Sequence, residues 1–477
     1  MSERIAVTPA LIDGREIDAN DHIEVRSPFD GRLLGRVPRL DGAQLDRAIA
    51  VAATRHREGP LPAFERAAIL DRAISLLEGR VDQFTRSISE EAAKPVSSAN
   101  TEAHRAIETL RFSAVQARTL TGETVALDAS EAGVNKFGFV KRIPVGVVLA
   151  ISPFNFPLNL VCHKVAPAIA AGCPVVLKPA SATPLTALRL AHLFEEAGLP
   201  AGWLNVVTCP GSMADRLVTH DDVAYVTFTG SPPVGWSIRA KAPRKRVCLE
   251  LGNNAPVVVH DDADLELAAS KVVTGGFGYS GQTCISVQRV HVQQRVHDEF
   301  AERVATLAAG LRGGDPGDPS TTISSLIDRG ETERVTSWVG EAVEAGAKVL
   351  TGAGEPDEHG VLAATVLDRI TPDMRVWHDE VFGPVVGISS YDSFEEGLAM
   401  ANDTRYGLQA SVFTRDVGRA FAAADTLRFG GVLVNESPTW RADQQPYGGV
   451  ADSGNTREGP AYAVREMTEE RMVAIQL

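Results

Sequence analysis

The sequence predicts an α/β protein built from a doubly wound parallel sheet, a second α/β domain, and a small β element apart from both. Three observations carry this. From Val145 to Leu251, short apolar runs alternate with helical patterns across short connections, as parallel βα units require. A second alternation runs from Gly252 to about residue 436. Residues 120–143 read as a hairpin, and the chain's last stretch reads as an apolar strand with no partner nearby in sequence, expected to pair with that hairpin or with another subunit. The expected organisation is a first domain of residues 1–119 and 144–252, a second of 253–440, and a β element of 120–143 with 460–477.

In order, residues 10–15 and 27–31 read as short strands punctuated by Asp-Gly and Ser-Pro turns. From Asp41 to about Gln116 the period becomes helical. Leu61-Pro62 opens one helix, with Ala67, Leu70, Ile74 and Leu77 as its buried face. Another starts near Asn100 and carries Glu102, Arg105, Thr109 and Phe112 at spacings of three and four. Residues 120–143 alternate and hold paired Gly and Asp/Asn signals, the mark of a hairpin reaching away from the core.

Residues 145–151 form a nearly unbroken apolar run, expected of a strand covered on both faces. The helix after it has Pro157 near its first turn and Gly172 at its end. Further strands are expected at 174–177, 203–207, 224–228 and 246–251. In the second domain a helix over 264–274 leads to a loop. Helices near 296–311 and 331–345 alternate with strands such as 385–388 and 431–434.

That loop, Phe277-Gly278-Tyr279-Ser280-Gly281-Gln282-Thr283-Cys284, is the first candidate site. Glycines flanking a lone cysteine make a narrow turn that can bring a thiol up to a ligand. A thiolate is a strong nucleophile towards carbonyl carbon, and such a turn can lower its pKa. Most free cysteines are small buried hydrophobes, and two further segments reverse those odds. Leu249-Glu250-Leu251-Gly252 and Ser152-Pro153-Phe154-Asn155 add a carboxylate and a carboxamide at strand ends.

A nucleotide site is expected at the carboxyl edge of the first sheet. The GxGxxG fingerprint is absent. In its place, Phe228-Thr229-Gly230-Ser231-Pro232-Pro233-Val234-Gly235 is a strand-to-helix turn whose amides can meet a phosphate. Lys178-Pro179-Ala180-Ser181 sets a lysine and a small hydroxyl at another strand end. Together, on βα turns of one sheet, they point to a dinucleotide. Glu380-Val381-Phe382-Gly383-Pro384 reads either as an exposed acid before a strand or as a carboxylate and aromatic edge lining a cofactor pocket.

Composition narrows the classes. Of 477 residues, 44% are apolar and 23% charged, an ordinary globular balance. A net charge of -14 with no compensating basic block argues against nucleic acid. The densest basic run, Lys241-Ala242-Pro243-Arg244-Lys245-Arg246, reads as a solvated turn. The five cysteines Cys162, Cys173, Cys209, Cys248 and Cys284 have no CxxC spacing, which suits a reducing compartment without disulfides. There is no HExxH and no Cys/His cluster with zinc spacing, so no metal is expected. Met1-Ser2-Glu3-Arg4-Ile5 opens no signal peptide, and no apolar run reaches the ~18 residues of a membrane helix. The expected location is the cytoplasm.

With these motifs in order, the chain resembles the NAD(P)-dependent aldehyde dehydrogenase family from about Ile12 to its end. The resemblance rests on Pro153-Phe154-Asn155, Lys178-Pro179, Phe228-Thr229-Gly230-Ser231, Glu250-Leu251-Gly252, Gly281-Gln282-Thr283-Cys284, Glu380-Val381-Phe382-Gly383-Pro384 and Tyr447-Gly448-Gly449. It implies that Cys284 is the nucleophile, Glu250 the general base and Asn155 the oxyanion-holding amide. It implies an NADP or NAD site in which Lys178, Ser181 and Ser231 serve the adenosine side. Glu380 and Phe382 would serve the nicotinamide side, with Phe154, Gly230, Gly235, Leu251 and Gly252 completing it. The isolated β element implies a homodimer or homotetramer.

Two positions depart from the family. Asn253 replaces a second glycine, and asparagine tolerates positive φ better than most residues. Ser181 stands where NAD-preferring members commonly carry glutamate, so NADP should be accepted at least as well as NAD. The segment around Glu102–Phe112 and the tail after Pro446 resemble the branch of lactaldehyde, non-phosphorylating glyceraldehyde-3-phosphate, and phosphono- or sulfo-aldehyde dehydrogenases. Phe156 and Thr283 replace the tyrosine and arginine of members acting on phosphorylated trioses. Arg105 and Arg441 are candidate anion clamps, with surface salt bridges as their alternative. The implied activity is oxidation of a short anionic or hydroxylated aldehyde to the acid. A CoA-acylating enzyme, or a dinucleotide-binding member without turnover, is the alternative.

Overall fold

The computed structural model describes residues 7–477; the N-terminal residues read above for a leader lie outside the described residues. The first sheet has seven strands. Five run parallel, in the order Arg246–Glu250, Val223–Thr229, Val147–Ile151, Val175–Lys178, Leu204–Val206. The hairpin of Ala10–Ile12 and Arg15–Ile17 extends the far edge antiparallel. Val147–Ile151 is buried along its whole length, because helices cover both faces. One face packs on Leu70, Leu110, Val165 and Leu188, the other on Leu45, Ile49 and Leu217. Strand order reverses between Val147–Ile151 and Val223–Thr229, so a crevice opens beyond their carboxyl ends. Asn155, Lys178, Gly230 and Glu250 all lie at or just past the carboxyl ends of this sheet's parallel strands.

The second sheet also has seven strands. Its order is Lys348–Thr351, Thr365–Asp368, Val385–Tyr391, Val287–Gln293, Ala255–Val259, Gln409–Phe413, Gly431–Val434, parallel except for the first. Cys284 precedes Val287–Gln293, and Phe382 precedes Val385–Tyr391. The second domain therefore offers the amino edge of its sheet to the carboxyl edge of the first.

The third sheet corrects the simple hairpin expected over 120–143. Only Thr124–Val125 pairs back on Lys136–Pro144, and two short 3-10 turns separate them. The terminal strand Thr468–Gln476 pairs with Lys136–Pro144 along all nine of its residues, so of the two partners expected for it the 120–143 region is the one found. The helix Pro460–Glu466 before it packs on the first domain, where Val464 and Met467 join the core. The helix expected from Asn100 begins at Val96. Pro95 sits just before its first turn, where its missing N–H costs nothing, and the polar Ser97 and Ser98 hide the apolar period. Among the described residues no helix is long and apolar enough to cross a membrane. No group of three His, Cys, Asp or Glu gathers there to hold a metal.

Candidate active site

The thiol loop departs from its expected mechanics. Gly278 has an ordinary φ of -55° and open space around it. The tight turn is made instead by Tyr279, Ser280 and Gly281, at φ of 50°, 55° and 74°. Left-handed backbone costs a non-glycine residue roughly 1–3 kcal/mol, so the surroundings must hold it. The Tyr279 hydroxyl donates to the Ala92 carbonyl at 3.0 Å. Ser280 Oγ donates to the Ser324 carbonyl at 2.8 Å and accepts from its N–H at 2.9 Å. Gln282 Oε1 accepts from Ile327 N–H at 2.9 Å. Only glycine fits at 281, since a Cβ there would lie 2.1 Å from the Gly383 carbonyl oxygen. The loop delivers Cys284, half-buried, to a cavity of about 290 Å³. Burial pushes its thiol up to about 12, against the pull of the Tyr447 hydroxyl 3.0 Å from Sγ.

The first domain meets this loop directly. Asn155 Nδ2 donates to the Gln282 carbonyl at 2.9 Å, two residues before the thiol. Phe154 and Phe382 meet edge to face at 5.9 Å. Glu250 is 4% exposed and neither of its carboxylate oxygens has a hydrogen-bond partner. Burial holds its carboxyl well above the usual range, and the charge of Glu458 adds to the effect. Gly448 allows this approach, since a Cβ there would lie 2.6 Å from Glu250 Oε1.

Asn253 corrects the sequence reading, because it does not use a left-handed φ. Its side chain turns away into the second sheet. Nδ2 donates to the Gln409 carbonyl at 3.1 Å, and Oδ1 accepts from Leu408 N–H at 3.4 Å. Its own N–H donates to Glu380 Oε1 at 3.0 Å. Burial raises Glu380 to about 8. A Cβ on Gly252 would fall 2.1 Å from Glu380 Oε2, so the glycine is what brings that carboxyl in.

Along the carboxyl edge, Lys178 is buried and its Nζ makes one long contact, 3.4 Å to the Pro179 carbonyl. Burial lowers its pKa. A buried cation so poorly satisfied calls for an anion or polar partner. Ser181, half-buried, donates to the Cys209 carbonyl at 3.3 Å. Ser231 is exposed and caps the helix Pro232–Lys241 without a side-chain bond. Gly230 donates its N–H to the Glu250 carbonyl at 3.1 Å. A Cβ on Gly235 would strike Leu251 at 2.4 Å, so this glycine lets the helix settle on the strand end that carries Glu250. These residues fit a dinucleotide.

Arg105, Phe156, Thr283 and Arg441 line the cavity with Cys284 and Tyr447. The two arginines are held differently. Arg105 places Nε and Nη2 on Asp443 at 3.2 and 2.9 Å and is a quarter exposed. The Arg441 side chain is 5% exposed, meets Glu458 at 3.2 Å, and stacks 3.7 Å over the Tyr447 ring. Its buried Nε has no partner.

Several residues in and behind this wall carried no role in the sequence reading. Lys164 Nζ donates to Thr227, Thr229 and Glu458 at 3.1, 2.6 and 3.2 Å. His163 meets Asp443 at 3.0 Å. Lys94 forms a buried 2.5 Å pair with Glu102 and lies 3.5 Å over the Phe156 ring. A signal existed for one pair, since His163 and Lys164 stand inside the wholly buried helix Asn159–Ala171, which is otherwise apolar after Asn159. Asp443 and Glu458 sit among turn residues and gave none.

The profile of the aldehyde dehydrogenase family matches residues 16–473. The chain belongs to that family. This aldehyde dehydrogenase is 46% identical over 467 residues to a 3-sulfolactaldehyde dehydrogenase of Priestia megaterium, covering 98% of this chain and 97% of the relative. Its fold superposes on aldehyde dehydrogenase 21 of Physcomitrella patens, solved with the reaction product succinate. The TM-score there is 0.96 at 36% identity, covering 99% of this chain and 98% of the other. It also matches an NADP-dependent glyceraldehyde-3-phosphate dehydrogenase of Bacillus halodurans complexed with NADP. That TM-score is 0.95 at 36% identity, covering 98% and 99%.

Proposed function

We propose that this aldehyde dehydrogenase oxidises a short aldehyde carrying an anionic group, a sulfonated hydroxyaldehyde foremost, to its carboxylic acid with NADP⁺ or NAD⁺. The observation that carries the reading is Arg441. It is a buried guanidinium with an unpartnered Nε in the wall that holds Cys284. An unmet buried donor is costly, and a charge-assisted bond to a substrate anion removes that cost. Phe156 and Thr283 narrow the cavity and add no charge of their own, which suits a small substrate. The sulfonated substrate of the Priestia relative belongs to this class.

In the proposed sequence, the Cys284 thiolate attacks the aldehyde carbon. Asn155 has two amide N–H groups; one holds the Gln282 carbonyl and the other receives the oxyanion, together with the Cys284 N–H. A nicotinamide held near Glu380 and Phe382 would supply the hydride acceptor. Glu250 then takes a proton from water, which opens the Cys284 thioester. Its two unpartnered oxygens favour this hydrolysis over transfer to coenzyme A. Glu380 and Phe382 would bear on the nicotinamide end, and Lys178, Ser181 and Ser231 on the adenosine end. Ser181 can donate to a ribose 2′-phosphate and Lys178 can neutralise it, so NADP⁺ is used at least as well as NAD⁺.

We also infer a cytoplasmic homo-oligomer. The free cysteines suit a reducing compartment. The third sheet exposes Phe137, Met472 and Ile475, a face suited to a second copy.

The test is kcat/KM for 3-sulfolactaldehyde, succinate semialdehyde, phosphonoacetaldehyde and lactaldehyde against propanal and hexanal. The expected loss on the anionic substrates is about ten- to a hundredfold in Arg441→Ala. It is smaller in Arg105→Ala, whose guanidinium is already committed to Asp443. Hexanal as best substrate, with the ranking unmoved by either change, sinks the anion reading. Ser181→Glu should shift preference towards NAD⁺; a wild type that ignored NADP⁺ would refute the cofactor reading.

A further inference from the structure

Tyr447 has no role in the steps above, yet its hydroxyl lies 3.0 Å from Cys284 Sγ. We propose that Tyr447 is a catalytic residue whose hydroxyl donates a hydrogen bond to the Cys284 thiolate and so sets the pH at which the nucleophile forms. The inference rests on the reading of Cys284 as nucleophile and goes beyond it.

Direction follows from chemistry. Between a thiol and a phenol either group can donate, but a thiolate can only accept. Once Cys284 has lost its proton to water, Tyr447 is the donor. Tyr447 keeps its own proton, because burial holds the phenol well above its ordinary range, with the nearby Cys284 adding to the effect. The charged and titratable groups facing the sulfur come from three directions. Glu250 comes from the first sheet, Glu380 from the segment before Val385–Tyr391, and Arg441 with Tyr447 from the segment after the last strand of the second sheet. The two carboxyls oppose a thiolate when ionised. Tyr447 and Arg441 favour it, and Tyr447 is the one in contact.

The donor is also held in place. Arg441 covers one face of the ring with its guanidinium 3.7 Å from the centroid. Arg441 is itself fixed by Glu458 and His163, each at 3.2 Å. A cation on the ring face is attracted to the π-system and draws density from the phenol oxygen, making its O–H a better donor without ionising it. Phenylalanine at 447 would fill the same space and keep the stack, so the substitution removes the hydroxyl alone.

The experiment is the rate of Cys284 alkylation by iodoacetamide, followed from about pH 6 to about pH 11, in wild type and Tyr447→Phe. The other four cysteines are buried, so the reaction reports on Cys284. It needs no aldehyde, so a failed substrate assignment leaves it intact. The wild-type midpoint lies near or above the top of this range, so the readout is the rising limb. Loss of the charge-assisted bond lowers the thiolate fraction of Tyr447→Phe about ten- to a hundredfold, and the stronger nucleophilicity of the less stabilised thiolate returns about three- to tenfold. The variant should therefore be alkylated about three- to tenfold more slowly across the range. A merely structural role of the ring, which phenylalanine preserves, would leave the two profiles superimposed. That result, or a faster variant, overturns the proposal. Arg441→Met should slow alkylation by less; an unchanged rate there removes the guanidinium from the account.

Discussion

Two neighbouring buried glutamates are treated in opposite ways. Glu250 and Glu458 are 4% and 6% exposed. Glu250 has no hydrogen-bond partner on either oxygen, and burial drives its carboxyl well above the usual range. Burial pushes on Glu458 too, but Lys164 and Arg441, each at 3.2 Å, outweigh it and hold the carboxyl down at about 2. Residue type and depth are shared, so neighbours alone separate the roles. A carboxylate left unpaired beside a reactive thiol is a base in waiting. A carboxylate between two buried cations is their counter-ion, and its fixed charge helps keep a proton on Glu250.

The largest expected effect that sharpens this contrast is on turnover. Glu250→Gln should lower steady-state kcat by roughly 10²- to 10⁴-fold, read as reduced-cofactor absorbance, while Glu458→Gln loses far less. Next is stability, where the two changes should differ in sign. A raised carboxyl pKa means that folding takes up a proton above the unfolded value, a penalty that grows with pH and that Gln removes. Glu250→Gln should therefore leave Tm at neutral pH unchanged or higher. A depressed pKa contributes stability above the unfolded value near 4.5, and that stability is lost as pH falls towards about 2. Glu458→Gln should cost up to about 3 kcal/mol at neutral pH. The gap to wild type should close between those two pH values, as thermal melts across an acid series would show. If both variants melt alike at every pH, the contrast fails.

A smaller effect is on the pH profile. Glu250 must ionise to act as base, so hydrolysis-limited kcat should rise with pH through a midpoint above the ordinary carboxylate range. In Glu458→Gln that rise should begin at lower pH, because an anion that opposed ionisation is gone. A rise that began at the same or a higher pH would contradict the coupling between the two carboxyls.

Much of this was legible in the sequence, and the limits have a physical pattern. The apolar runs around Val148, Val226 and Val247 announced parallel strands, because burial on both faces leaves no polar alternation. Cys284, Glu250 and Asn155 were legible because each sits in a short motif at a strand or helix end. The left-handed backbone at Tyr279 and Ser280 was not, since neither residue favours it and distant partners at Ala92 and Ser324 impose it. The role of Arg105 was equally hidden, as its carboxylate Asp443 lies 338 residues away. Tyr447 was legible as part of a motif but not as a partner of the thiol, which only the folded geometry shows.

The division of labour between Cys284 and Glu250 is tested most directly by rapid mixing of Glu250→Gln with aldehyde and saturating NADP⁺. The account predicts one equivalent of reduced cofactor per subunit at close to the wild-type acylation rate, then a stall. An acyl adduct should be recoverable on the peptide bearing Cys284. Continued turnover at the parent rate, or no burst and no adduct, would contradict it.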